Sequence, residues 1–283
     1  MHAFKLLPLL FLAFFTTGCD NVDPLMATSA AIDAARAITL SDREVQQIAV
    51  ATSAQVDRQH RIAPPEHPHA RRLQRVLARS ASNRDSRFTH KVYLTDEVNA
   101  FAMADGTIRI FAGLMDMLDD DELLFVVGHE MGHVELEHIH EKLRLAYAAN
   151  ATRKAAAAVS GTIGEIARSH LGAFIQQIVT AQFSQHEERQ ADDYGLAFVR
   201  KNNTNPRSAV TALEKLATLG SSHTFLSSHP APDKRARRIA AQLEGKPIAD
   251  EPEGQGWQDT ITRILVAAWL LVKKLVLWLG SFW

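Results

Sequence analysis

Residues 123–138, "LLFVVGHEMGHVELEH", decide the reading of this chain. An apolar run, Leu123 to Val127, leads into His129 and His133, four apart, with Glu130 directly after the first histidine. On an α-helix, side chains four apart lie roughly 40° apart in projection and about 6 Å apart in space. Both imidazoles can therefore offer a nitrogen to one ion at about 2.0–2.1 Å. Glu130 lies further round the helix, too far to share that position but near enough to reach a water on the metal. Zinc brings the pKa of such a water toward about 7, and an adjacent carboxylate can take the proton. The apolar run buries the front of the helix, which sets the histidines beside a core. Gly132 leaves one side of the turn bare, so that another segment can pack close.

A catalytic zinc takes three protein ligands and keeps one position open. The stretch 186–195, "HEERQADDYG", supplies candidates for the third. Glu188 fits best, because Asp192, four residues on and on the same face, can hold the outer N–H of a ligand histidine. Glu187 is a rival whose partner four residues on is Ala191, and His186 is a weaker one.

Together, "GHEMGHVELEH" and the pattern E-x-x-A-D-x-x-G (Glu188, Ala191, Asp192, Gly195) resemble the zinc metallopeptidase family that includes HtpX, Oma and the CAAX prenyl proteases. "KVYLTDEVNAFAMADGTIRIFAGLMDMLDDDEL", residues 91–123, resembles the segment before the active helix in the small periplasmic lipoprotein members of that family. The similarity runs from about Thr39 to Leu243. It implies an α+β, mostly helical zincin-like fold with one zinc ion per chain. His129, His133 and Glu188 would bind that ion, Glu130 would act as general base, and Asp192 would orient a ligand histidine. The expected activity is endopeptidase cleavage of misfolded or stalled envelope proteins. The stretch Asn99 to Phe111 would present an edge strand, including Asn99, Phe101 and Ala102, to which a substrate strand could add through main-chain hydrogen bonds. "SSHPAPDKRARRI", residues 227–239, resembles a late His-Pro element of the family. His229 would then reach the cleft, either to stabilise an oxyanion or to occupy the open metal position in a closed state. His138 and His140, further along the same helical stretch, are expected in supporting or surface roles.

Around this centre the chain reads as mostly helical. Ser41 or Asp42 caps a helix with Val45, Ile48, Ala49 and Val56 at helical spacing. "APPEHPH" (63–69) is a break, followed by a helix with Leu73, Val76 and Leu77 inward. Residues 90–112 read as a small antiparallel sheet, with Val92 and Leu94 on one face, Tyr93 on the other, and a two-residue hairpin at Asp105-Gly106. The stretch from Asp116 to Asn150 reads as helical, with acids at its start and Lys142 and Arg144 near its end, as the helix dipole prefers. Residues 151–183, rich in Ala and Gly, read as a closely packed helical pair.

The whole chain has 283 residues with 46% hydrophobic content, enough for one sizeable core. Lys and Arg (31) nearly balance Asp and Glu (32), which gives no footing for nucleic acid as a partner. The single cysteine, Cys19, rules out an intramolecular disulfide and any Cys-built zinc site. Residues 1–18 read as an export signal, with Lys5 and an apolar run from Leu6 to Phe15. Cys19 stands where a bacterial lipoprotein is acylated. The expected location is the periplasm, anchored by that lipid; Asp20 favours the inner membrane, and the outer one stays open. Residues 19–40 are expected as a tether, 41–245 as the peptidase domain and 246–256 as a linker. Residues 257–283 read as an apolar segment broken by Lys273 and Lys274, costly as a span, with tryptophans suited to a helix lying in the headgroup layer; a helix folded back onto the protein's own apolar surface, a short hairpin and a span are the alternatives. The rival reading is a membrane-bound chaperone or assembly factor whose zinc is structural or whose cleft is normally shut.

Overall fold

The computed structural model describes residues 23–80, 87–158, 182–220 and 223–247. The readings for the export segment, Cys19, most of the 151–183 stretch and the C-terminal apolar segment fall outside those residues.

The active-helix stretch folds as expected at its start and not at its end. Helix α5 (Asp120–Glu135) is opened by a capping box in which Asp119 accepts from the Glu122 N–H and Glu122 reaches back to the Asp119 N–H. It was expected to run on through Asn150. Instead it stops at Leu136, and Glu137 takes a left-handed conformation with φ of 60°. A new helix, α6 (His138–Ala158), leaves in another direction. A non-glycine residue held there costs about 1–2 kcal/mol, and what it secures is the return of His138 against His133, described below.

The sheet has strands β1 (Thr89–Tyr93), β2 (Ala100–Ala102) and β3 (Thr107–Phe111) in the order β1-β3-β2. It is mixed rather than antiparallel. β2 and β3 pair antiparallel, Ala100 opposite Ile110, while β1 and β3 pair parallel, Val92 opposite Ile110. The cause is the connection 94–99, which carries the chain past β3, so β3 lies in the middle. The turn is also longer than two residues. Met103 donates to Thr107 across a three-residue loop that closes on Gly106 with φ of 79°, the conformation glycine adopts freely. The outer edge of β1 is covered by residues 61–63, through Ala63 N–H to Val92 O and Leu94 N–H to Arg61 O. β2 is the other edge.

Val92, Ala100, Ala102, Ile108 and Ile110 face a core shared with α3 (Pro68–Ala78) and α5. Tyr93, Phe101, Met103 and Phe111 face a second core shared with α2 (Asp42–Gln59) and α6. The alternation read for Val92 and Tyr93 is thus the alternation of these two cores. Pro68, expected only to break a helix, opens α3, where a missing N–H costs nothing; His67 caps it. Residues 24–39, expected as a tether, form helix α1 (Pro24–Thr39), which lies along α6. Asp33 binds Asn150 at 2.7 Å and Lys154 at 2.8 Å, and the Asp23 N–H donates to Ala158 O at 2.8 Å.

A polar network ties α2 to the sheet. Asp57 accepts from Arg109, Lys91 and Tyr93. Burial alone would raise this carboxyl, but those three partners outweigh it and hold its pKa below the ordinary carboxylate range. Its ionised form therefore contributes stability that is lost as pH falls into the acid range. His90 is pushed down to about 4, by burial first and by Arg109 second. That contribution is complete above the free-histidine value and declines as pH drops through about 4. Both act in the same direction, so the melting temperature is expected to fall on acidification from neutral pH, and less so in His90→Gln. Asp57→Ala leaves the buried Arg109 guanidinium without its main acceptor and is expected to cost about 1–3 kcal/mol in a urea titration. An unchanged midpoint would show that the network does not support the fold.

Candidate metal centre

Helix α7 (Gln185–Lys201) starts from its own capping box, Ser184 with Glu187, and packs lengthwise on α5. The two helices meet at glycines. A Cβ added at Gly132 would stand 3.1 Å from the Ala191 Cα, one at Gly128 2.7 Å from Phe198, and one at Gly195 3.1 Å from the His129 nitrogen. This close approach brings the side chains of both helices to one point.

At that point His129, Glu130, His133, Glu188 and Asp192 are all buried, together with His229 from the segment after α9 (Thr224–Ser228). His129 Nε2 lies 3.1 Å from His133 Nε2, and Glu188 Oε1 lies 3.3 Å from His133 Nε2. His229 Nδ1 is 3.0 Å from Glu188 Oε1 and 3.4 Å from His129 Nε2. One ligand atom from each of these four residues lies within 4.8 Å of the others. Two donors on one tetrahedral zinc, each at about 2.0–2.1 Å, stand about 3.3 Å apart, so the donor set and its spacing suit that ion. Glu130 stands beside the cluster. Its Oε1 is buried without a hydrogen-bond partner among the described residues and lies 3.5 Å from His229 Nε2.

Each histidine on α5 is held from behind. Asp192 Oδ1 lies 3.0 Å from His129 Nδ1 and accepts its N–H, which leaves the Nε2 lone pair free for an ion. His133 Nδ1 lies 3.0 Å from His138 Nδ1, and His138 Nε2 lies 3.1 Å from Gln190 Oε1. A glutamine oxygen only accepts, so His138 carries its proton on Nε2, and its Nδ1 accepts from His133. Burial holds the His133 pKa well below the free value. His138 therefore supports His133 directly. His140 belongs elsewhere, 3.4 Å from Leu40 O and 3.3 Å from Asp42.

The rivals for Glu188 are accounted for. Glu187 turns back to accept from the Ser184 N–H at 2.6 Å, and His186 is outside the cluster. Arg235, on α10 (Pro232–Leu243), is the residue the sequence reading missed. Its Nε is 2.8 Å from Asp192 Oδ2, its Nη2 is 2.6 Å from Asp192 Oδ1, and its Nη1 contacts Glu188. Burial would raise the Glu188 pKa, but Arg235 and the two histidines outweigh it and hold that carboxyl well below its usual range. A signal was available: Arg235 sits among Ala236 and Ile239 on the buried stripe of an amphipathic helix, where a cation needs a partner. Phe183 was also missed. Its ring stacks on His133 at 3.7 Å, and Phe225 stacks on His229 at 4.8 Å.

The expected edge strand is beside the cluster. A cleft of about 260 Å³ is lined by Asn99, Phe101 and Ala102 on one side and by Phe183, Ser228 and His229 on the other. Asn99 Oδ1 accepts the Ala100 N–H, and Phe101 packs between Tyr93 and Phe111.

Two histidines one helical turn apart, an acid between them and a carboxylate from a second helix make a donor set that could hold a metal ion, in a fold of zincin-like type. Residues 67–243 match peptidase family M48. The chain is 37% identical to metalloprotease LoiP of Escherichia coli strain K12 over 246 residues, 86% of this chain and 98% of that protein. It is 35% identical to metalloprotease YcaL of the same strain, over 82% of this chain and 93% of that protein. It is 27% identical to the β-barrel assembly-enhancing protease of Yersinia pestis, over 56% of this chain and 35% of that protein. The chain belongs to peptidase family M48.

Proposed function

We propose that the protein is a zinc-dependent endopeptidase of the bacterial cell envelope that hydrolyses peptide bonds of misfolded or stalled envelope proteins. The observation that carries this reading is the meeting of His129, His133, Glu188 and His229 next to Glu130, whose buried Oε1 has no hydrogen bond among the described residues, with His229 also lining a cleft bordered by an edge strand. Zinc held there would supply Lewis-acid polarisation of the peptide carbonyl and a water of lowered pKa. Glu130 is the carboxylate placed to hold a proton beside it and to deliver that proton to the leaving nitrogen. Asp192 and Arg235 keep the His129 and Glu188 donors aimed. β2 accepts the substrate as an added strand, which reads main chain more than side chain and suits unfolded polypeptides. His229 stands as a fourth donor in the cluster. It shuts the site in that position, and once a peptide displaces it, its ring can face the developing oxyanion.

The location rests on the sequence of the N-terminal segment, with Cys19 and Asp20, and on the tryptophan-rich, apolar composition of residues 257–283. No described helix is long and apolar enough to cross a membrane. The names of LoiP and YcaL support the metalloprotease activity. The filled His229 position favours a second reading, an assembly factor with a closed zinc site, which would keep an unfolded client from aggregating even when Glu130 is replaced.

Casein digestion is expected to stop with a chelator and return with one equivalent of zinc. Zinc at a hundred times its dissociation constant is expected to raise the melting temperature by roughly 5–10 °C. Digestion that continues after complete removal of metal would refute the proposal.

A further inference from the structure

Lys142 is in an unfavourable place. The sequence reading put it near a helix C-terminus, where a cation is welcome. The break at Glu137 puts it instead in the second turn of α6, toward the positive end of the dipole, and buried. Burial pushes its pKa down to about 8, against the pull of Glu130, Glu188 and Glu187. A buried cation carries partners within the protein, and one that also lines a cleft can have a further use.

Its surroundings suggest one. Lys142 is four residues after His138 and so on the same face of α6, turned toward the metal centre. Its Nζ stands 4.1 Å from the Phe183 ring centroid, and that ring stacks on His133 at 3.7 Å. The lysine and the histidine must take opposite faces of Phe183, so the ammonium sits one ring's thickness beyond a metal-site residue. It also lines the cleft that β2 borders. Glu97 lines the same cleft and accepts from the Thr224 hydroxyl at 2.7 Å. An extended peptide advances about 3.3 Å per residue, so a residue two positions from the bond being cut lies about 7 Å from the metal.

We propose that Lys142 is a specificity-determining residue of the cleft, whose ammonium binds a substrate carboxylate two or three residues from the scissile bond. The carboxylate comes from an acidic side chain or from the substrate's own C-terminus. This inference rests on the peptidase reading and deepens it. The simpler role for Lys142 is to balance the charges of Glu130, Glu188 and Glu187, which would affect all substrates alike.

The test uses the zinc-loaded full chain and peptides that differ only by Glu or Gln at each of the three positions on either side of the cut, each as free acid and as amide. Wild-type protein is expected to favour Glu over Gln by about tenfold in kcat/KM at one such position, the size of a single charge-assisted contact. A preference for free acid over amide would identify the terminal carboxylate as the source. In Lys142→Met, which keeps the apolar stem, the Glu/Gln ratio is expected to fall to about one, and in Lys142→Arg to persist. A wild-type ratio of one at every position with both termini overturns the proposal on native protein alone, as does a ratio that survives Lys142→Met. Binding of the same peptides to Glu130→Gln, followed by fluorescence anisotropy, separates the two readings. Tighter binding of the acidic peptide without cleavage by wild type would refute the peptidase reading and uphold the lysine. Cleavage without charge preference would do the reverse.

Discussion

Glu130→Gln is expected to abolish peptide hydrolysis while leaving zinc bound. Loss of a positioned general base costs about 10²–10⁴ in rate. Here the carboxylate has no described substitute, because Glu188 and Asp192 are engaged by Arg235 and the histidines. Gln keeps the shape and the hydrogen-bonding reach of Glu but cannot take a proton. Glu130 lies next to the cluster and is not among its four donors, so zinc should remain at one per chain. Casein or a quenched peptide would measure the rate, and metal analysis of the same sample the zinc. Activity retained at more than a tenth of wild type would remove Glu130 from the chemistry. Lost zinc would instead make it a ligand.

Arg235→Met is expected to have the largest effect on stability. The guanidinium is buried and makes two parallel bonds to Asp192, with a third contact to Glu188. Removing it leaves two carboxylates in the interior without their cation, a change that costs about 3–5 kcal/mol. Zinc would take over part of the charge of Glu188, so the loss should be larger in metal-free protein than in the zinc form. Zinc affinity is expected to fall about 10–100-fold, since Asp192 would no longer be fixed behind His129. Lys cannot reproduce a planar fork on Asp192, and Arg235→Lys should recover only part of either quantity. Thermal melts with and without zinc, and a competition titration against a chromophoric chelator, would measure both. Equal destabilisation in the two forms would mean that Arg235 supports the fold without reference to the metal.

How far the sequence reveals this site depends on the range of the interaction concerned. His129, Glu130 and His133 are legible because helical periodicity alone puts them together. Glu188 and Asp192 are legible as a pair for the same reason, but that Glu188 and not Glu187 stands in the cluster follows from the cap that ties Glu187 to Ser184. The composition of the sheet is readable from its alternation, whereas its mixed pairing depends on which way six loop residues carry the chain. Nothing in the apolar pattern marks the stop at Leu136, because Glu137 adopts a left-handed turn without being glycine. Arg235 is marked in the sequence only as a cation on a buried helix stripe, and Phe183 only as an apolar residue just before α7; which groups they meet depends on the packing.

The contact between α5 and α7 has a wider implication. At Gly132 and Gly195 the helices that carry the donors come so close that an added Cβ would stand 3.1 Å from the Ala191 Cα and 3.1 Å from the His129 backbone nitrogen, beside the Tyr194 and Phe125 side chains. The inter-helix spacing is set at these positions, so the peripheral helices, loops and ends can be remodelled extensively without disturbing the geometry of the centre. Conversely, a methyl group at Gly132 would stand 2.9 Å from the Tyr194 Cβ, so one helix would have to shift against the other and carry its donors with it.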